Sequence, residues 1–150
     1  MHSMYRITLD DALPVLAAAR AKADEIGVKQ TLCIVDESAN VIALHRIPGA
    51  RLTGVDISIA KAFTAAGHER PTHKFNEGPS GPALPGNEAF GISHMIPGKF
   101  AIFVGGFPLE YDGQIVGAIG VSGGNGEQDK AVGAAAIAAF EQHVRDNPPV

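Results

Sequence analysis

Imidazole is the group best suited to chemistry in this chain, because it titrates near neutrality and also ligates haem iron and other metals. Four of the six histidines, His45, His68, His73 and His94, fall within one central stretch. His68, His73 and His94 are the candidates for moving a proton or reaching iron. His68 and His73 lie in a proline-broken segment rather than on one helix face, and no HExxH or paired CxxC occurs, so no metal site is expected. Without CxxCH, covalent c-type haem attachment is excluded. Lys61 is read either as a solvated helix-face residue or as a ligand contact. Arg46 could clamp a carboxylate with its planar fork, or pair with Asp36 across a hairpin. Thr64 and Ser122 carry hydroxyls, but no GxSxG elbow surrounds them, so a hydrolase triad is not supported.

These groups need something to hold a ligand against, and the stretch Gly117 to Asp129, GAIGVSGGNGEQD, is the natural wall. It reads as a strand running into a glycine-rich bend, Gly123 and Gly124, and then into the last helix. Small residues there allow a tight turn and close approach of another group. Backbone N–H groups at a helix start can hold an anion, a carboxylate or a haem propionate. Glu127 and Asp129 in that first turn oppose a phosphate, and Asp129 is either a helix-dipole residue or a ligand contact. No GxxxxGK[ST] is present and no GxGxxG follows a strand in a βαβ unit, so nucleotide binding by these motifs is rejected. Gly105-Gly106 marks a second bend or close backbone approach.

The elements that must position these residues follow from periodicity. A first helix runs to Ile26 with Ala12, Leu16, Ala19 and Ala23 on its core face. Thr8 and Asp11 resemble a capping box, but that start would bury Pro14 in the helix interior, so a start at Asp11 is preferred. Thr31 to Asp36 and Val41 to Arg46 form a hairpin, with Asn40 the residue expected at positive φ. A second helix spans Gly54 to Ala66, its stripe Val55, Ile59, Ala62, Phe63 and Ala66, with Thr53 and Asp56 as a further capping box. Residues 67–99 carry five prolines and recurrent glycine, and predict an ordered functional loop with short helical turns near Thr72 to Phe75 and Asn87 to Ile92. Phe100 to Val104, Phe107 to Tyr111 and Gln114 to Val121 read as three more strands, the last two joined by an Asp112-Gly113 hairpin. A closing helix starts at Gly126. The expected fold is α+β: a five-stranded, mainly antiparallel sheet covered by helices.

Length and composition set outer bounds. A chain of 150 residues suits one domain able to bury roughly two-thirds of its unfolded surface without disulfides. With a net charge of -4 and no basic run, neither nucleic acid nor an anionic membrane is an expected partner. The single cysteine, Cys33, sits in an apolar run and is expected to be a buried, inert thiol. The opening residues lack an apolar signal core and no run nears the roughly 20 residues that span a bilayer, so the expectation is a soluble, cytoplasmic protein.

The blocks VDESANVIALHRIPGA, IAKAFTAAG, PGNEAFGI, IFVGGFPL, DGQIVGAIGVSGG and QD together resemble the GlcG/HbpS haem-binding or haem-degrading family, in the version found as the carboxy-terminal domain of PduO-type proteins. The resemblance covers Thr8 to Phe140. It implies a profilin-like α+β fold, homo-oligomers and non-covalent haem. Carried over position by position, it marks Asp36, Arg46, Gly49, Lys61, Thr64, Gly105, Gly106, Gly120, Ser122, Gly123, Gly124 and Asp129. Pro48 stands where the family commonly has an acidic residue, and the histidine-rich loop is not a general family feature. Two readings of function follow. One is a binder of haem or a related tetrapyrrole with a histidine as axial ligand. The other is a cofactor-free isomerase, lyase or hydratase acting on a small carboxylate or carbonyl compound. There Arg46 or Lys61 would hold the acid, and His68, His73 or His94 would move the proton. A sensor or interaction module without chemistry is the third, minor reading.

Overall fold

Secondary structure follows the hydrophobic periods closely. The structure is a computed structural model that describes residue 1 and residues 3–149. In chain order it comprises α1 (Leu9–Glu25), β1 (Thr31–Asp36), β2 (Val41–Arg46), α2 (Gly54–Gly67), β3 (Gly106–Tyr111), β4 (Gln114–Ser122) and α3 (Gly126–Asp146). Two 3-10 turns, Thr72–Phe75 and Ile92–His94, interrupt the long loop. The second of these lies just beyond its expected position. Among the described residues no helix is long and apolar enough to cross a membrane.

All strand pairs are antiparallel, in the order β2-β1-β4-β3. The sheet has four strands, not the expected five, because residues 100–104 do not join it. Their polar backbone is satisfied by side chains instead: Ala101 N donates to Thr64 Oγ1 at 2.8 Å, and Thr72 Oγ1 donates to the Phe103 carbonyl at 2.6 Å. These two groups are then not available to a ladder.

Helices α1 and α3 cover one sheet face, where Leu16, Leu32, Ile34, Ile119, Val121 and Phe140 form the main core. Helix α2 covers the other, over Cys33, Val35 and Ala118. Two terminal details depart from expectation. α1 starts at Leu9 behind a Thr8 cap, with Thr8 N donating to Asp11 Oδ2 at 2.8 Å and Asp11 N to Thr8 Oγ1 at 3.3 Å. This reciprocal cap offsets the cost of Pro14, which lies inside the helix on its exposed side. At α2, Thr53 has helical backbone angles and makes no capping bond, so no box forms with Asp56. In the β1–β2 turn the positive φ falls on Ala39 (φ 62), not Asn40. The Asp36 carboxylate fixes that turn by accepting from Ser38 N and Asn40 N at 3.0 and 2.9 Å.

Candidate functional site

Helix α2 lies unusually close to the sheet. A Cβ at Gly120 would strike the Ser58 carbonyl and the Ala62 amide, and one at Gly106 the Lys61 carbonyl. Helix backbone therefore rests against strand backbone, and the residues turned to the sheet are Ser58, Lys61, Ala62 and Ala65 rather than the larger apolar stripe. The expectation of Lys61 as a solvated face residue is corrected on this point: it is 2% exposed.

The Lys61 stem runs beneath Gly105 to a closed polar cluster. Its Nζ donates to the Val121 carbonyl at 2.8 Å and to Asp129 Oδ2 at 3.1 Å, and stands 4.7 Å from the centre of the Phe103 ring. Asp129, also 2% exposed, accepts through Oδ1 from Gln30 Nε2 at 2.8 Å and from Gly124 N at 3.1 Å. Gly105 has φ +130, and a Cβ there would lie 2.5 Å from Lys61 Nζ. Burial lowers the Lys61 pKa, while the charge and hydrogen bond of Asp129 act in the opposite direction. Lys61, Gly105, Gly124 and Asp129, drawn from three separate stretches, lie together here. Their polar atoms are directed at one another, and the cluster ties α2, β4, the glycine bend and the first turn of α3 together.

The other marked residues lie elsewhere. Thr64 and Thr72 anchor the loop: Thr64 Oγ1 also donates to the Lys99 carbonyl at 3.3 Å, and Gly106 N donates to Thr72 Oγ1 at 2.8 Å. Ser122 and Gly123 follow β4 into the bend, Ser122 pairing with Thr31 and Gly123 at φ +134 against the Lys29 carbonyl. Arg46 ends the exposed edge strand opposite Thr31, at the far end of the hairpin from Asp36, so the alternative of an Arg46–Asp36 pair is not realised.

The loop histidines are spread apart. His68 follows α2 directly, with its ring edge-on between Phe75 and Phe100 at centroid distances of 5.2 and 5.1 Å. His73 lies 6.2 Å from Phe107, and its Nδ1 is buried without a partner. Burial lowers the pKa of both; Arg70 adds to the effect at His68, and Lys130 and Lys74 at His73, where Glu77 opposes it. His94 is exposed, 3.5 Å from the Ser93 hydroxyl. Among the described residues no group of three or more His, Cys, Asp or Glu could hold a metal ion.

Open space lies on the other flank of α2. A cleft of about 420 Å³ separates that helix from the β1–β2 turn and the end of the long loop. Val41, Ile59 and Phe63 form apolar walls, and Lys99 stands at the rim with Nζ 5.6 Å from the Phe63 ring centre. The volume falls within the roughly 300–1,000 Å³ of small-molecule sites. The sequence places Ile59 and Phe63 on the apolar stripe of α2.

Fold and sequence together place the molecule in one class. Residues 7–138 match the family described as haem degrading protein HbpS-like, and the chain belongs to that family. It is 35% identical over 136 residues to a 15.0 kDa protein of the dhaT-dhaS intergenic region of Citrobacter freundii, covering 91% of this chain and 93% of that one. It is 31% identical to the corrinoid adenosyltransferase PduO of Salmonella typhimurium, covering 89% of this chain but spanning only 39% of that protein's length. Among solved structures, Klebsiella pneumoniae ORFY superposes with a TM-score of 0.88 at 32% identity, over 94% of each chain. A PduOC:heme complex does so with a TM-score of 0.83 at 30% identity, over 89% of this chain and 94% of that one.

Proposed function

We propose that this protein binds haem or a related tetrapyrrole non-covalently, in the cleft between α2 and the β1–β2 turn. The observation that carries the reading is the likeness to the PduOC:heme complex across 89% of the chain, joined to an apolar cleft with a cation at its rim. The residues suit the group. Val41, Ile59 and Phe63 offer apolar surface to a macrocycle, and Lys99 offers an ammonium to a propionate. No loop histidine lines the cleft, and His68 is the one that would be tested as an iron ligand. It packs on Phe100, the neighbour of Lys99, and burial lowers its pKa, which favours the neutral imidazole. Bound haem would supply redox and ligand-binding chemistry; the chain supplies enclosure and charge.

A cofactor-free acid–base enzyme has less support. The Lys61 ammonium faces protein acceptors, and His68, His73 and His94 each have separate surroundings. In the same reading the chain is one profilin-like domain, working in the cytoplasm as a homo-oligomer. The exposed Leu52, Phe90 and Met95, at 82%, 66% and 76%, suit a subunit interface.

Haemin titration tests the proposal. Saturable growth of a Soret band distinct from that of free haemin is expected, weakened by Phe63→Glu and Lys99→Glu, with His68→Ala shifting the band. No protein-dependent Soret change would overturn haem binding, and unchanged binding in Phe63→Glu would overturn the cleft.

A further inference from the structure

A second cavity, of about 360 Å³, lies on the α1/α3 side of the sheet, across the molecule from α2. Three aromatic rings shape it. Tyr5 and Tyr111 meet edge to face with centroids 5.0 Å apart, and Phe140 and Val144 of α3 form the facing wall. One end is polar, with the Asp11 carboxylate and Asn147.

That end carries one carboxylate not taken up by a fixed cation. Arg6 is the one cation in the lining, but its guanidinium is held by both Glu37 oxygens at 2.6 to 3.0 Å and is neutralised there. Asp11 Oδ2 accepts from Thr8 N and Thr8 Oγ1 at 2.8 and 2.6 Å, whereas Oδ1 receives a single bond, from His143 Nε2 at 2.8 Å. Oδ1 therefore keeps acceptor capacity, and the Asp11 side chain is 31% exposed. Burial disfavours ionisation of Asp11, but the bonds from Thr8 and His143 outweigh it and hold the carboxyl below its ordinary pKa.

We propose that this cavity is a binding site for a small arylalkylamine, its ring among Tyr5, Tyr111 and Phe140 and its ammonium on Asp11. Apolar walls with one convergent carboxylate select for a cationic head on an aryl body, and aromatic faces favour a cation further. The site is independent of the haem cleft and does not rest on that reading.

The chain provides its own probe, since it has no tryptophan and its two tyrosines both line this cavity. Tyrosine emission of the intact protein, titrated with phenethylamine, is expected to change saturably. Phenethyl alcohol should bind about tenfold more weakly, reflecting the lost charge-assisted bond, and phenylacetate more weakly still. Asp11→Asn keeps an oxygen for the Thr8 cap and should erase the preference for the amine; Val144→Phe should fill the space and abolish binding of all three. The wild-type series needs no variant to fold. The proposal is overturned by the absence of a saturable change with phenethylamine, by phenylacetate binding as tightly as the amine, or by a folded Val144→Phe protein that binds as before.

Discussion

Lys61 shows how much one side chain can organise. An ammonium taken out of water is costly, and here the cost is offset by a carbonyl, a carboxylate and an aromatic face. Removing either partner leaves the other charge buried and alone. Lys61→Ala and Asp129→Ala are each expected to destabilise the fold by about 3–5 kcal/mol. The double variant Lys61→Ala with Asp129→Ala should lose much less than the sum of the two, and urea denaturation of the four proteins measures that coupling. Cys33 illustrates the opposite case, a polar group buried without chemistry. Burial pushes its thiol up to about 12, so the native protein is expected to resist alkylation at pH 8 and to react fully once unfolded. Alkylation at equal rates in both states would show that strand β1 opens readily. The burial of Cys33 was legible from its apolar neighbours. That of Lys61 was not, because a lysine off the apolar stripe reads as solvated until a partner 68 residues away is placed beside it.

At the scale of elements, local signals located α1, β1, β2, the Asp112-Gly113 hairpin and α3 nearly to the residue. They failed at residues 100–104, where apolar composition suggests a strand but Thr64 and Thr72 take the backbone bonds. They also failed on the roll of α2, which is set by glycines in β3 and β4 and not by the helix itself. The long loop carries a pH response. His68 and His73 have folded pKa values below their ordinary value of about 6.5, so the unfolded chain takes up protons first. Their contribution to stability is therefore complete above that value. It declines as pH falls through about 6.5, and levels off once pH drops below the folded values. Thermal unfolding between pH 7 and 5 should show this decline, and His68→Asn with His73→Asn should flatten it; an unchanged slope would place the proton uptake elsewhere. Asp11 and Glu37, whose carboxyls are held below their ordinary values, add the same sign at lower pH.

For the molecule as a whole, the four-stranded sheet separates two sides. The α2 side carries the proposed haem cleft and the long loop; the α1/α3 side carries the proposed amine site. A ligand that binds only the folded state stabilises it by mass action, about 2.7 kcal/mol at a hundred times its dissociation constant. Haemin is accordingly expected to raise the unfolding temperature of the wild type and not of Phe63→Glu, which differential scanning fluorimetry would read.

The chain's own pattern of residues was sufficient for the α+β class, the family and most element boundaries. These follow from periodicity, turn chemistry and short motifs, all of which act over a few residues. Only the tertiary structure decided what stands at the glycine bend. Where the sequence suggests a pocket wall, the folded chain has filled the space with the Lys61–Asp129 pair, and the open clefts lie on flanks where distant segments fail to close on one another. Filling or leaving a space depends on how closely two backbones approach, which no local pattern specifies.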